Sequence, residues 1–169
     1  MADFEISYAK TCRNEGGYTL DPHETWMGID RVEVPGWHGW ALVDSLKHQG
    51  DFPRCLANNP DLLQSVKEFF RANYWQPVRG DDIGDQWVAD KLYDAGVNMG
   101  TGTAIRLMQE ALDLAVDGVI GPKTVGAINS TPPADVLAKF KDVRIAHYEK
   151  IAENHPDNRK YLTSWISRC

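Results

Sequence analysis

From Asn59 onward the apolar residues return every three or four positions, and no stretch alternates with a period of two. That rhythm confines the chain to a helical fold, because only a helix collects such residues on one face. Leu62, Leu63, Val66, Phe69, Phe70 and Tyr74 make one stripe, and Trp87, Val88, Leu92, Tyr93 and Val97 make another. A third carries Ile105, Leu107, Met108, Ala111, Leu112 and Leu114, with Thr103 as its candidate cap. The longest runs from Val136 through Phe140 and Tyr148 to Ile151, and a short one holds Tyr161, Leu162, Trp165 and Ile166. Asn59-Pro60 reads as a cap followed by a first-turn proline. Near the start, Phe4 to Cys12 has rough helical spacing, whereas Tyr18 to Trp40 is aperiodic and rich in Gly, Pro, Trp and His. The expectation is an all-α bundle with a long irregular loop or small hairpin after its first helix.

Charge and composition narrow the partners. With 169 residues, 43% of them hydrophobic, the chain can bury a core without metal or disulfide staples. A net charge of -6 argues against nucleic acid, whose phosphates need a basic surface. Cys12, Cys55 and Cys169 have no C-x-x-C spacing, and the five histidines are scattered, so neither disulfide nor metal site is expected. No cofactor is implied. The start lacks a basic region leading into an apolar run, and no apolar stretch approaches membrane-spanning length. A soluble monomer made in the cytoplasm is expected, without membrane insertion. Reaching a substrate beyond the membrane would then require an export partner.

The candidate chemistry sits at Glu15-Gly16-Gly17-Tyr18. A carboxylic acid beside two glycines is open to close approach by substrate. If neighbours such as Tyr18 and Trp26 desolvate it, it can hold a proton near neutral pH and donate it to a leaving oxygen. Glycoside cleavage needs that proton.

Read in order, the motifs resemble glycoside hydrolase family 108, the helical N-acetylmuramidases of phages and prophages. They are Glu15-Gly16-Gly17-Tyr18, Asp21-Pro22, Thr25-Trp26-Met27-Gly28-Ile29, Pro35-Gly36-Trp37-His38-Gly39-Trp40, Tyr74-Trp75 and Val97-Asn98-Met99-Gly100. The second half resembles the peptidoglycan-binding-like region of such proteins, through Leu107-Met108-Gln109, the run Asp117 to Thr124, and Trp165-Ile166-Ser167-Arg168. One departure stands out. An Asp-x-Gly-Gly segment usually precedes the threonine, but here His23-Glu24 runs directly into Thr25.

The resemblance implies a lysozyme-like fold, with a catalytic region over 1–100 and a peptidoglycan-binding-like region over 101–169, packed as one unit. It implies hydrolysis of the β-1,4 bond between N-acetylmuramic acid and N-acetylglucosamine, with Glu15 as general acid. Glu24, nine residues on, ranks first as second carboxylate, ahead of Asp21 and Asp30; Thr25 is the candidate for positioning water. Tyr18, Asp21, Trp26, Tyr74 and Asn98 are candidate substrate contacts, and Trp37, Trp40 and Trp75 are candidate stacking surfaces or core. Gln109 is read as structural. The implied partner is the glycan of bacterial peptidoglycan, the setting a phage endolysin of antimicrobial effect released with a holin. Two other readings compete: a lytic transglycosylase, and a non-catalytic peptidoglycan-binding or secretion-assisting protein.

Overall fold

The computed structural model describes residues 1–12 and 17–169, so Glu15 and Gly16 lie outside the described residues. Eight α-helices and one three-stranded sheet appear among them. The elements are α1 (Phe4–Cys12), β1 (Tyr18–Thr19), β2 (Thr25–Trp26), β3 (Ile29–Asp30), α2 (Gly39–Leu46), α3 (Pro60–Phe70), α4 (Gln86–Met99), α5 (Thr101–Ala111), α6 (Pro122–Ser130), α7 (Pro133–Asn154) and α8 (Leu162–Ser167). The all-α expectation holds, with the irregular stretch after α1 carrying the sheet. Compactness divides the chain into Glu5–Asn73 and a second unit of Met1–Phe4 with Tyr74–Cys169.

In the Glu5–Asn73 unit, the helix starts follow local chemistry. Asn59 accepts the Leu62 N–H at 2.9 Å, satisfying one of the donors that a helix start leaves unpaired, and Pro60 opens α3. The Pro35-to-Trp40 motif is packing. Trp37 and Trp40 are buried and meet edge to face at 5.0 Å, and the Trp40 indole N–H donates to the Val34 carbonyl. A Cβ at Gly39 would lie 2.2 Å from the Trp37 ring, so only glycine lets that ring lie across the start of α2.

The sheet is antiparallel in the order β1-β2-β3. Met27 and Gly28, between β2 and β3, both have positive φ, at 46° and 79°. That is the pattern of a type I′ hairpin turn, and it explains the glycine of Thr25-Trp26-Met27-Gly28-Ile29. The register pairs Tyr18 with Trp26 and Trp26 with Ile29 in one row, and Thr19 with Thr25 and Thr25 with Asp30 in the next. Side chains of successive strand residues leave opposite faces, so the first row is the inner face. Trp26 and Ile29 are buried there, at 4% and 1% exposure.

The second unit is organised by Trp75, fully buried between Phe4 at 5.6 Å and Tyr93 at 5.7 Å, its indole N–H donating to Asp81. Asp85 caps α4 through the Val88 N–H. Gly100, at φ 83°, then reverses the chain in a single residue, and α5 begins at Thr101 rather than at a Thr103 cap. The turn that glycine permits leaves no room for a separate capping segment. α4 packs on α5 and α7, and α8 returns onto α7 through Tyr148 and Trp165, stacked at 5.2 Å.

Gln109, fully buried on α5, ties down the Asp117-to-Thr124 run. Its Nε2 donates to Asp117 Oδ1 (2.7 Å) and to the Val119 carbonyl (3.0 Å). Its Oε1 accepts from the backbone N–H groups of Asp117 and Gly118. The structural role read for Gln109 from sequence is the role it has.

Candidate active site

Five candidate residues gather on or beside the three-stranded sheet, and its two faces treat them differently. Glu24 immediately precedes β2 and shares the inner side with Trp26 and Tyr18. Its Oε1 accepts from the Tyr18 hydroxyl at 2.8 Å and from Lys47 Nζ at 2.8 Å, while Oε2 pairs with Arg31 Nε at 2.6 Å. Arg31 in turn grips Asp44 through both terminal nitrogens, at 3.0 and 2.7 Å, and Lys47 reaches the same carboxylate at 2.9 Å. The Arg31 guanidinium also covers the Trp40 ring at 4.4 Å.

This network fixes protonation states. Burial alone would raise the Glu24 pKa, but hydrogen bonds from Lys47 and Tyr18 and the charge of Arg31 carry it below the ordinary glutamate value. The Arg31 and Lys47 hydrogen bonds hold Asp44 down as well, at about 2. Tyr18 is pushed up by burial and by the Glu24 carboxylate it serves. Glu24 is therefore a fixed anion: Oε1 takes the Tyr18 hydroxyl and the Lys47 ammonium, and Oε2 is ion-paired with Arg31. A general base needs a lone pair turned toward its substrate, so this arrangement suits an electrostatic anchor better than the second catalytic carboxylate.

Two consequences are measurable. Glu24→Gln removes a charge from hydrogen bonds of the charged kind, and is expected to cost about 1–3 kcal/mol of stability. Cleavage by the same variant should stay within a few-fold of wild type in a fragment-release assay; a loss beyond about 100-fold would return Glu24 to the base role. Asp44, with its pKa depressed from 3.8 to about 2, adds stability that is complete above pH 3.8 and lost as the pH falls through 2. Because its side chain is 48% exposed, solvent screening limits that contribution to about 1 kcal/mol. Asp44→Asn should flatten the stability curve across this window in acid titrations followed by circular dichroism.

The outer row is different. Thr25 is half-buried, sits between Thr19 and Asp30, and donates its hydroxyl to the His23 carbonyl at 3.3 Å. That contact is the turn-capping behaviour of a threonine and leaves the oxygen able to accept. Asp21 is exposed, its backbone N–H donating to Thr19 Oγ1 at 3.1 Å. Trp26, a candidate substrate contact, is a core residue of the inner row. Tyr18 packs its ring edge to face on Phe52 at 4.9 Å.

Tyr74 and Asn98 belong to the other compact unit. Tyr74 lies in the π-helical turn Arg71–Trp75, and the exposed Asn98 donates its amide to Asp94, both to the backbone carbonyl and to Oδ2. The stacking role considered for Trp37, Trp40 and Trp75 fails on burial, since each is at most 5% exposed. What sequence reading missed is the set Arg31, Asp44 and Lys47. The i,i+3 spacing of Asp44 and Lys47 stands in the sequence, but nothing local said that the pair closes on Glu24.

None of the curated proteins matches the chain. Its structure is similar to one described as "Structure of Brucella abortus SagA", with a TM-score of 0.71 and 25% identity, over 98% of this chain and 90% of that one. Residues 103–169 match the family model described as "Predicted Peptidoglycan domain". Residues 8–100, more than half of the chain, match the model for "Glycosyl hydrolase 108". A helical fold, a hairpin built on the Thr25-to-Ile29 motif and these two matches in order lead to one assignment: the chain belongs to the glycosyl hydrolase 108 family, glycoside hydrolases acting here on peptidoglycan.

Proposed function

We propose that this protein is an N-acetylmuramidase, hydrolysing the β-1,4 bond between N-acetylmuramic acid and N-acetylglucosamine with Glu15 as general acid. The observation that carries the reading is the family match over 8–100, which spans Glu15-Gly16-Gly17-Tyr18 and the Thr25-to-Ile29 hairpin as one stretch. Glu15 protonates the glycosidic oxygen as the muramic ring gains oxocarbenium character. Thr25, on the outer row of the sheet, positions the attacking water. Residues 1–100 carry the chemistry, and 101–169 hold the wall polymer or complete the core. A cytoplasmic origin with release through a holin-like partner is the setting we favour.

A lytic transglycosylase is supported by one feature, the ion-paired Glu24 carboxylate, since intramolecular attack by a muramic hydroxyl dispenses with an external water. Mass spectrometry of fragments released from purified peptidoglycan separates the readings. Reducing muramic ends are expected. Anhydro ends would move the protein to the transglycosylases, and binding without fragments would leave a peptidoglycan-binding protein.

A further inference from the structure

Opposite Glu24, the outer side of the hairpin holds a histidine in the arrangement of a base. His23 is 44% exposed, and its Nδ1 lies 3.1 Å from Asp30 Oδ2. Asp30 is itself fixed, because Oδ1 accepts the backbone N–H groups of Val32 at 2.7 Å and Glu33 at 3.4 Å. A carboxylate held by backbone donors is ionised and can only accept, so His23 Nδ1 carries the proton of this contact. In its neutral form the ring then presents Nε2 as its acceptor nitrogen, and no described residue hydrogen-bonds it.

Strand alternation makes this placement specific. Thr25 and Trp26 alternate within β2, Thr25 in the row of Thr19 and Asp30 and Trp26 in the other, and His23 and Glu24 lie in the segment just before it. Their contacts divide them: His23 reaches Asp30 of the outer row, and Glu24 reaches Tyr18 of the inner row. The carboxylate expected to act as base is bound on one face, while an oriented, free imidazole stands beside Thr25 on the other.

We infer that His23 is the catalytic base of the hydrolysis, with Asp30 as its positioning residue. The step, which rests on the muramidase reading, balances as follows. Water oxygen bonds to C1 of the muramic residue as the bond from C1 to the leaving O4 breaks. One water proton passes to His23 Nε2, and the Glu15 proton passes to O4; solvent then returns both groups to their starting states. Attack from the face opposite the leaving group inverts the anomeric centre, so the β-linkage yields an α-muramic product.

The test uses full-length wild type, His23→Ala, Asp30→Asn and Glu15→Gln on purified peptidoglycan, with and without sodium azide. His23→Ala is expected to lose about 10²-fold or more in turnover while sedimenting with peptidoglycan as wild type does. Azide, which needs no deprotonation, should restore its turnover and leave an N-acetylmuramyl azide, bonded at C1, in the mass spectrum. Asp30→Asn should fall between wild type and His23→Ala, and proton NMR of the first wild-type product should show the α-anomer. Wild-type turnover in His23→Ala overturns the assignment, as does a loss that azide does not restore, or a β-anomer as first product. Those results leave the muramidase reading intact if Glu15→Gln is inactive. A wild type that releases no reducing ends overturns that reading and this inference with it.

Discussion

Glu15→Gln is expected to abolish the release of reducing muramic ends, a fall of about 10²–10⁴-fold or more, without loss of affinity for peptidoglycan. Glutamine keeps the shape and the hydrogen-bonding reach of the acid but has no dissociable proton. The leaving N-acetylglucosamine oxygen would then depart as an alkoxide, which makes the bond-breaking step far slower. Single-turnover kinetics with a soluble glycan fragment separates this from a binding defect, since a group acting only in the transition state lowers kcat and kcat/KM together. A rise in KM at constant kcat would instead make Glu15 a substrate-binding residue. Full activity in the variant would remove Glu15 from the chemistry altogether.

The largest loss of stability is expected from Gln109→Leu. Leucine fills nearly the same space, so packing is conserved and the polar contacts alone are removed. The N–H groups of Asp117 and Gly118 lose their acceptor, and Asp117 Oδ1 and the Val119 carbonyl lose a donor. Unsatisfied groups cost about 1–3 kcal/mol each when buried. The loop is partly exposed, so water recovers some of that, and a total near 3 kcal/mol follows. For a chain of this length the midpoint should fall by about 6–12 °C in a thermal melt. A shift under about 2 °C would mean that the loop is held by its own turn geometry. The same loop has a backbone reason for its glycine: Gly118 has φ 77°, and a Cβ there would come within 2.8 Å of the Arg106 guanidinium carbon.

Helix content was legible because it depends on neighbours three and four residues away. The stripes around Leu62, Leu92, Met108 and Phe140 became α3, α4, α5 and α7, and Asn59 capped where its side chain predicts. Thr103 lost to Gly100 because a local cap signal cannot reveal that the preceding helix ends on a residue able to reverse the chain at once. The tryptophans were ambiguous for a different reason. An indole serves a core and a sugar platform equally well, and only the packing of Trp37 on Trp40, or of Trp75 between Phe4 and Tyr93, decides.

Five of the candidate residues were legible as chain neighbours and opaque in their orientation. Tyr18, Asp21, Glu24, Thr25 and Trp26 were all singled out, and all belong to one small sheet and its connection. Which of them turns inward depends on strand pairing, and strands of two residues leave no periodicity to read. Spacing favoured Glu24 as second carboxylate. Arg31 beside β3 and Lys47 after α2 converge on it from 7 and 23 residues away, a convergence that exists only in three dimensions.

The two-residue turn at Met27 and Gly28 carries a further consequence. Between Thr25 and Asp30 the hairpin works as a parity device: odd and even positions before the turn are assigned to opposite sides, and the turn length preserves that assignment across β3. Adding or deleting a single residue there would exchange the faces of the β3 side chains relative to those of β2. Ile29 would be turned out of the row it shares with Trp26, and Asp30 would be carried away from His23. Evolution in this segment is therefore free to change side chains one at a time, but insertions and deletions should be tolerated only in pairs.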